Sequence, residues 1–162
     1  MNPPVIQDAI AKVAAARDKR YANHPTNAPL NDEYMEMAMA GEFAFGEFCG
    51  QMPDLAQRAE GDGGVDFTIM LLTTVDVKTI KQGYQYLLHK VDKPMADLYV
   101  LAEYERESKS ATLIGWTSRA ELKEQEPRTF GHDYLDFHQH RSTLRPMHSL
   151  RRRMGHFVRL QE

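Results

Sequence analysis

One cysteine, one tryptophan and no extended apolar run set the first limits on this 162-residue chain. Cys49 has no second thiol to pair with, which excludes an internal disulfide and fits a reducing, intracellular compartment. No stretch approaches the ~20 apolar residues that a membrane-spanning helix needs, and no charged-then-apolar export signal opens the sequence. Repeats and low-complexity tracts are missing too, which argues against solenoids and arrays. Neither sign of charge dominates: 20 Lys and Arg against 23 Asp and Glu give a net charge of −3. What remains is an ordinary globular composition, 42% apolar and 27% charged, in a length that one core can serve. The expectation is a single domain over 1–162, cytoplasmic, and in the host-cell cytoplasm if the chain is phage-encoded.

The charge is unevenly spread. From His132 onward six arginines (Arg141, Arg145, Arg151, Arg152, Arg153 and Arg159) stand against Asp133, Asp136 and Glu162, about +3, which leaves about −6 for the rest. Five of the seven histidines lie there as well: His132, His138, His140, His148 and His156. A basic end on an acidic body makes a local phosphate-attracting surface. From charge alone, a solvated helix face is an equal reading.

Periodicity orders the elements. Ile6, Ile10 and Val13 mark a helix in an N-terminal extension over 1–30. After a breaker segment, Asn31 is the expected N-cap of a second helix whose apolar stripe is Tyr34, Ala38, Gly41, Phe45 and Phe48. Residues 96–105 and 111–117 read as strands. Ser118 and Glu121 form a capping box opening a short helix that Pro127 stops. The segment 132–162 is basic and His/Arg-rich, with only weak alternation near Asp136. The sum is an α/β protein, bordering on α+β, with one central mixed β-sheet flanked by helices. Trp116 and the methionines at 35–39 belong most simply to the core.

The stretch "VDFTIMLLTTVDVKT" (65–79) is the most apolar, β-branched run, yet it holds Asp66, Asp76 and Lys78. In a strand Asp76 and Lys78 share one face. A hairpin centred on Leu71 with a three-residue loop sets Asp66 against Asp76 and Phe67 against Val75, with the two carboxylates ~4.5–5.5 Å apart at Cβ. Like charges at that spacing need a proton or a cation between them. The turn lacks Gly, Asn and Asp, so its usual chemistry is missing.

An Asp after a Gly-rich turn, "GDGGVDF" (61–67), followed by Asp-x-Lys in "VDVKT" (75–79), resembles the signature of the PD-(D/E)XK nuclease superfamily. The upstream "GEFAF" (41–45) is similar to the helical Gly-Glu at which many members place another acidic ligand, and "ADLYVLAEYE" and "LIGWTSRAEL" look like a small phage- and prokaryote-type branch. The resemblance covers a catalytic core over 38–117. It implies a restriction-endonuclease-like fold and a Mg²⁺-dependent nuclease acting on DNA, with Mn²⁺ as substitute. Asp66 and Asp76 would hold the metal with the Val77 backbone carbonyl and Glu42, and Lys78 would position the attacking water. Glu47 sits on a nearly equivalent ridge, and only "GEFAF" separates it from Glu42.

DNA contacts are expected from Lys81, Gln82, Arg145, Arg151, Arg152 and Arg153. The implied class spans phage recombination or repair nucleases, junction-type endonucleases and restriction-type endonucleases, endo- or exonucleolytic. So short a chain favours shape recognition, or pairing as a homodimer, over reading a long base sequence. The alternative is a non-catalytic DNA-binding or interaction module that keeps the fold. His138 and His140, with His132 or Asp136, would make a zinc site only with more ligands than the segment offers; surface or phosphate-contacting histidines are the better reading. "QGYQY" (82–86) follows Lys78 too closely to be a separate Gln-x-x-x-Tyr helix.

Overall fold

The computed structural model describes residues 8, 11–12, 32–53 and 64–159. Of the expected N-terminal helix, Asp8, Ala11 and Lys12 are described and helical, and Lys12 lies 2.6 Å from Asp8 one turn away. The cap at Asn31 and the glycines at 61 and 63 lie outside the described residues.

Helix α1 (Asp32–Cys49) leads into a four-stranded sheet of β1 (Phe67–Ile69), β2 (Thr73–Lys81), β4 (Leu98–Glu105) and β5 (Ser110–Ser118), in the order β1-β2-β4-β5. The sheet is mixed: β2 and β4 run parallel, and the other two pairs are antiparallel. The crossover between β2 and β4 carries β3 (Tyr86–Lys90), which pairs antiparallel with β6 (Asp136–His140) in a separate two-stranded ribbon. Helix α2 (Arg119–Lys123) follows β5, and α3 (Met147–Arg159) closes the described chain. The α/β class with a mixed sheet is therefore present, and among the described residues no helix is long and apolar enough to cross a membrane.

Strand parity sorts the layers. Val75, Val77, Leu98, Val100 and Trp116 meet Phe45 of α1 and Leu150 of α3 on one face. On the other, Tyr99 and Leu101 meet Leu87 of β3 and Leu122 of α2, with Phe137 of β6 packed against them. The helices α1 and α3 thus cover one face, and the ribbon with α2 covers the other.

α1 is buried more widely than a single stripe allows. Tyr34 is exposed, whereas Met35, Met37, Met39, Phe43 and Phe45 are all buried. Helices that are apolar nearly all round sit inside, and Gly41 permits the closest approach: a Cβ there would overlap Thr79 Oγ1 of β2.

The capping box at Ser118 forms as expected, with Glu121 accepting from the Ser118 amide at 3.0 Å. Burial alone would raise the Glu121 carboxyl, but the hydrogen bonds from Ser118 and the Arg145 guanidinium outweigh it and hold it below the usual range. The basic tail becomes α3, anchored where Trp116 Nε1 donates to Ser149 Oγ at 2.9 Å. Gly115 is required beside that anchor, since a Cβ would stand 2.8 Å from both the Arg145 carbonyl oxygen and Leu144 Cβ.

Candidate active site

β1 and β2 form the hairpin that the spacing predicts. Phe67 pairs with Val75, Thr68 with Thr74 and Ile69 with Thr73, leaving Met70–Leu72 as the loop. The turn solves its lack of glycine at a cost: Met70 and Leu71 take φ of 49° and 69°, a left-handed conformation unusual for residues with a Cβ. Leu71 and Leu72 are 69% and 84% exposed at the tip.

Beyond Phe67 the pairing departs from that register by one residue. The Asp66 amide donates to the Val75 carbonyl at 2.9 Å, and the Asp66 carboxylate accepts from the Val77 amide at 2.7 Å. Phe67 and Ile69 face the α1 layer, so Asp66 faces the other way, as do Asp76 and Lys78. Lys78 Nζ lies 2.7 Å from Asp76 Oδ2. Burial works against the Lys78 charge, but the Asp76 carboxylate, and more weakly Asp66, outweigh it and raise the ammonium above its ordinary value. In an antiparallel pair the N–H and C=O of one residue point to the same neighbour. The Val77 carbonyl is therefore directed to the β1 side, where its amide already meets Asp66.

Two residues join this site that local sequence patterns did not mark. His89 of β3 is buried, with Nδ1 3.7 Å from Asp76 Oδ2, and its ring meets Tyr99 edge-on at 5.0 Å. Tyr99 lies beside Asp76 in the β2–β4 register, and burial and the Asp76 carboxylate push its phenol well up. The available signal was the two-residue spacing of His89 from Leu87, which gives both an inward face once β3 is recognised.

The remaining candidates fall elsewhere. Glu42 is 6% exposed, next to the Gly41–Thr79 contact and in the α1 layer on the opposite face of the sheet, whereas Glu47 is exposed. Lys81 and Gln82 are exposed at the end of β2, and Lys81 lies 3.4 Å from Glu33. Arg145 is held by Glu121 at 2.6 Å. Arg151, Arg152 and Arg153 are exposed on α3, on the helical face away from Asp76; Arg151 lies over Phe48 and Arg153 over Trp116. His138 and His140 pack edge-on against Tyr86, and His132 Nε2 lies 2.9 Å from Asp136 Oδ2. Among the described residues no three His, Cys, Asp or Glu side chains gather as a metal-ligand cluster. Tyr86 opens a strand, so "QGYQY" is not a helix.

No family model, curated protein or solved structure matches the chain.

Proposed function

We propose that the protein is a divalent-metal-dependent nuclease that hydrolyses phosphodiester bonds in DNA, on a restriction-endonuclease-like fold. The observation that carries this reading is the meeting of β1 with β2, where the Asp66 carboxylate accepts from the Val77 amide at 2.7 Å, between Asp76 and Lys78, whose own side chains lie 2.7 Å apart. The order of helix, Asp strand, Asp-x-Lys strand and parallel neighbour supports it as well. Hard carboxylate and carbonyl oxygens fit Mg²⁺ or Mn²⁺. Asp66 and Asp76, with the Val77 carbonyl, would hold the ion. When bound, it supplies an acidified water and neutralises charge on the phosphoryl oxygens.

The chain's own groups do the rest. The Val77 amide fixes the Asp66 carboxylate, so its orientation precedes any ligand. Lys78, a third exposed at its side chain, orients the attacking water and stabilises charge developing on the phosphate. His89 and Tyr99 wall off Asp76 on the inner side and limit its access to bulk water.

The test incubates the protein with supercoiled, linear, single-stranded and four-way-junction DNA in Mg²⁺, in Mn²⁺ and in EDTA. Cleavage should require the metal and vanish in Asp76→Ala and in Lys78→Ala. Binding without cleavage under any metal would leave only a DNA-binding module, and an active Asp76→Ala would remove the site.

A further inference from the structure

The ribbon of β3 and β6 has two unlike faces. Leu87 and His89 turn inward to the large sheet and Asp76. The outward residues Tyr86 and Leu88 lie opposite His140 and His138. A third segment extends this face, because Arg128 and Asp136 exchange both backbone hydrogen bonds, at 3.0 and 3.1 Å. Phe130 then reaches back over the ribbon, its ring centroid 5.2 Å from Tyr86 and 5.3 Å from His138.

As Arg151 and Arg153 do on α3, the cations of this face lie over rings and without a carboxylate within ion-pair distance among the described residues. Lys81, Arg106, Lys109, Arg119, Arg141 and Arg145 each lie within ion-pair distance of a carboxylate. Arg128 is exposed and has no such pair among the described residues; its guanidinium lies over two rings, 5.1 Å from Tyr86 and 4.6 Å from Phe130. Lys90 likewise lies 3.9 Å over the ring of Tyr134. The carboxylate beneath them, Asp136, is buried and covered by His132. Rings of intermediate exposure beside a cation left without a counter-charge match the chemistry of an unpaired polynucleotide: bases stack on the rings and phosphates meet the cation. A duplex hides its base faces and could use only the charge.

We propose that the outward face of the β3–β6 ribbon is a stacking platform for single-stranded DNA. It rests on the nuclease reading and narrows it: the substrate carries an unpaired strand. Lys90 and His89 project from opposite faces of β3, so the platform and the carboxylate site lie on the two sides of one ribbon.

The test is fluorescence anisotropy of a labelled dT15 oligonucleotide on the full chain in EDTA, with a 15-base-pair duplex and U15 as further arms. The dT15 should bind at least tenfold tighter than the duplex, and Arg128→Glu should weaken it tenfold or more. Because Phe130→Ala could loosen the ribbon, Phe130→Leu serves beside it, and each variant's fold is checked by circular dichroism. In a folded variant, losing the ring should weaken dT15 at least threefold with little change in duplex binding. Equal affinity for dT15 and duplex, tighter binding of U15, indifference to Arg128→Glu, or a dimer that Arg128→Glu dissociates would each overturn the platform. Absence of cleavage in Mg²⁺ with dT15 binding intact would refute the nuclease reading and leave the platform standing.

Discussion

The turn at Met70–Leu72 offers the sharpest test of the hairpin that builds the acidic pair. Leu71 holds φ of 69° and is 69% exposed, so its backbone and not its packing should govern substitution. A left-handed residue with a Cβ carries about 1–2 kcal/mol of strain. Glycine relieves that strain but adds about 0.5–1 kcal/mol of chain entropy, and losing the covered third of the leucine removes about 0.5 kcal/mol of burial. Leu71→Gly should therefore fall within about 0.5 kcal/mol of the parent. Leu71→Ile keeps the apolar volume but branches at Cβ, where positive φ is least tolerated, and should lose about 1 kcal/mol. At an ordinary exposed strand position the order would invert, since β-branching is welcome there and glycine is not. Urea midpoints read the difference directly, and the expected Tm gap is about 2–4 °C with glycine the higher. If Leu71→Ile matches the parent while Leu71→Gly loses 1 kcal/mol or more (roughly the helix- and strand-interior penalty of glycine), the left-handed turn is wrong. A one-residue slip would turn Asp66 to the opposite face.

Three further outcomes follow from the packing. Lys78→Met leaves Asp76 buried without its ammonium and should destabilise by about 2 kcal/mol in urea melts, the usual cost being discounted because Lys78 is partly exposed; adding Asp76→Asn should recover most of it, and a single variant as stable as the parent would refute the pair. Asp97 ties β4 to β2, accepting from the Thr74 amide at 3.0 Å and hydroxyl at 2.8 Å. Those two hydrogen bonds, with help from Arg119, hold its carboxyl below the usual range. Its contribution is thus complete above the unfolded value near ~4 and is lost as pH falls through the depressed folded value. The stability gap between parent and Asp97→Asn, measured by urea midpoints, should be wide at pH ~7 and close at pH ~2.5; a gap independent of pH would sink the assignment. Gly115→Ala forces a Cβ against the Arg145 carbonyl and Leu144, and should cost about 1–3 kcal/mol by thermal melting; a neutral result would refute that close approach.

Where local pattern dictates structure, the sequence could be read. The β1–β2 hairpin, β4, β5 and the Ser118 capping box all depend on alternation or on a cap motif within a few residues, and each appears where expected. The ribbon was illegible for the opposite reason. β3 is five residues long and finds its partner only at β6, so Tyr86 meets His140 more than fifty positions away. Nothing local in either segment announces that pairing, and His89 was invisible with it. The α1 stripe was too narrow because it assumed one buried side, whereas the methionines at 35, 37 and 39 are all buried. The arginines of α3 were grouped with the site by charge, yet the packing of Leu150 and Trp116 sets them on the other face of the sheet.

The hairpin also has a kinetic meaning. Asp66 and Asp76 are ten residues apart, and local closure of the hairpin brings Asp66 to the Val77 amide beside Asp76, an event of microseconds. His89 and Tyr99 reach the same carboxylate only after the parallel pairing of β2 with β4 and the distant pairing of β3 with β6, both slow non-local steps. The acidic pair therefore exists in the folding chain before the face that shelters it. Under the proposed metal-binding reading, refolding should run faster in Mg²⁺ than in EDTA, beyond any gain in final stability.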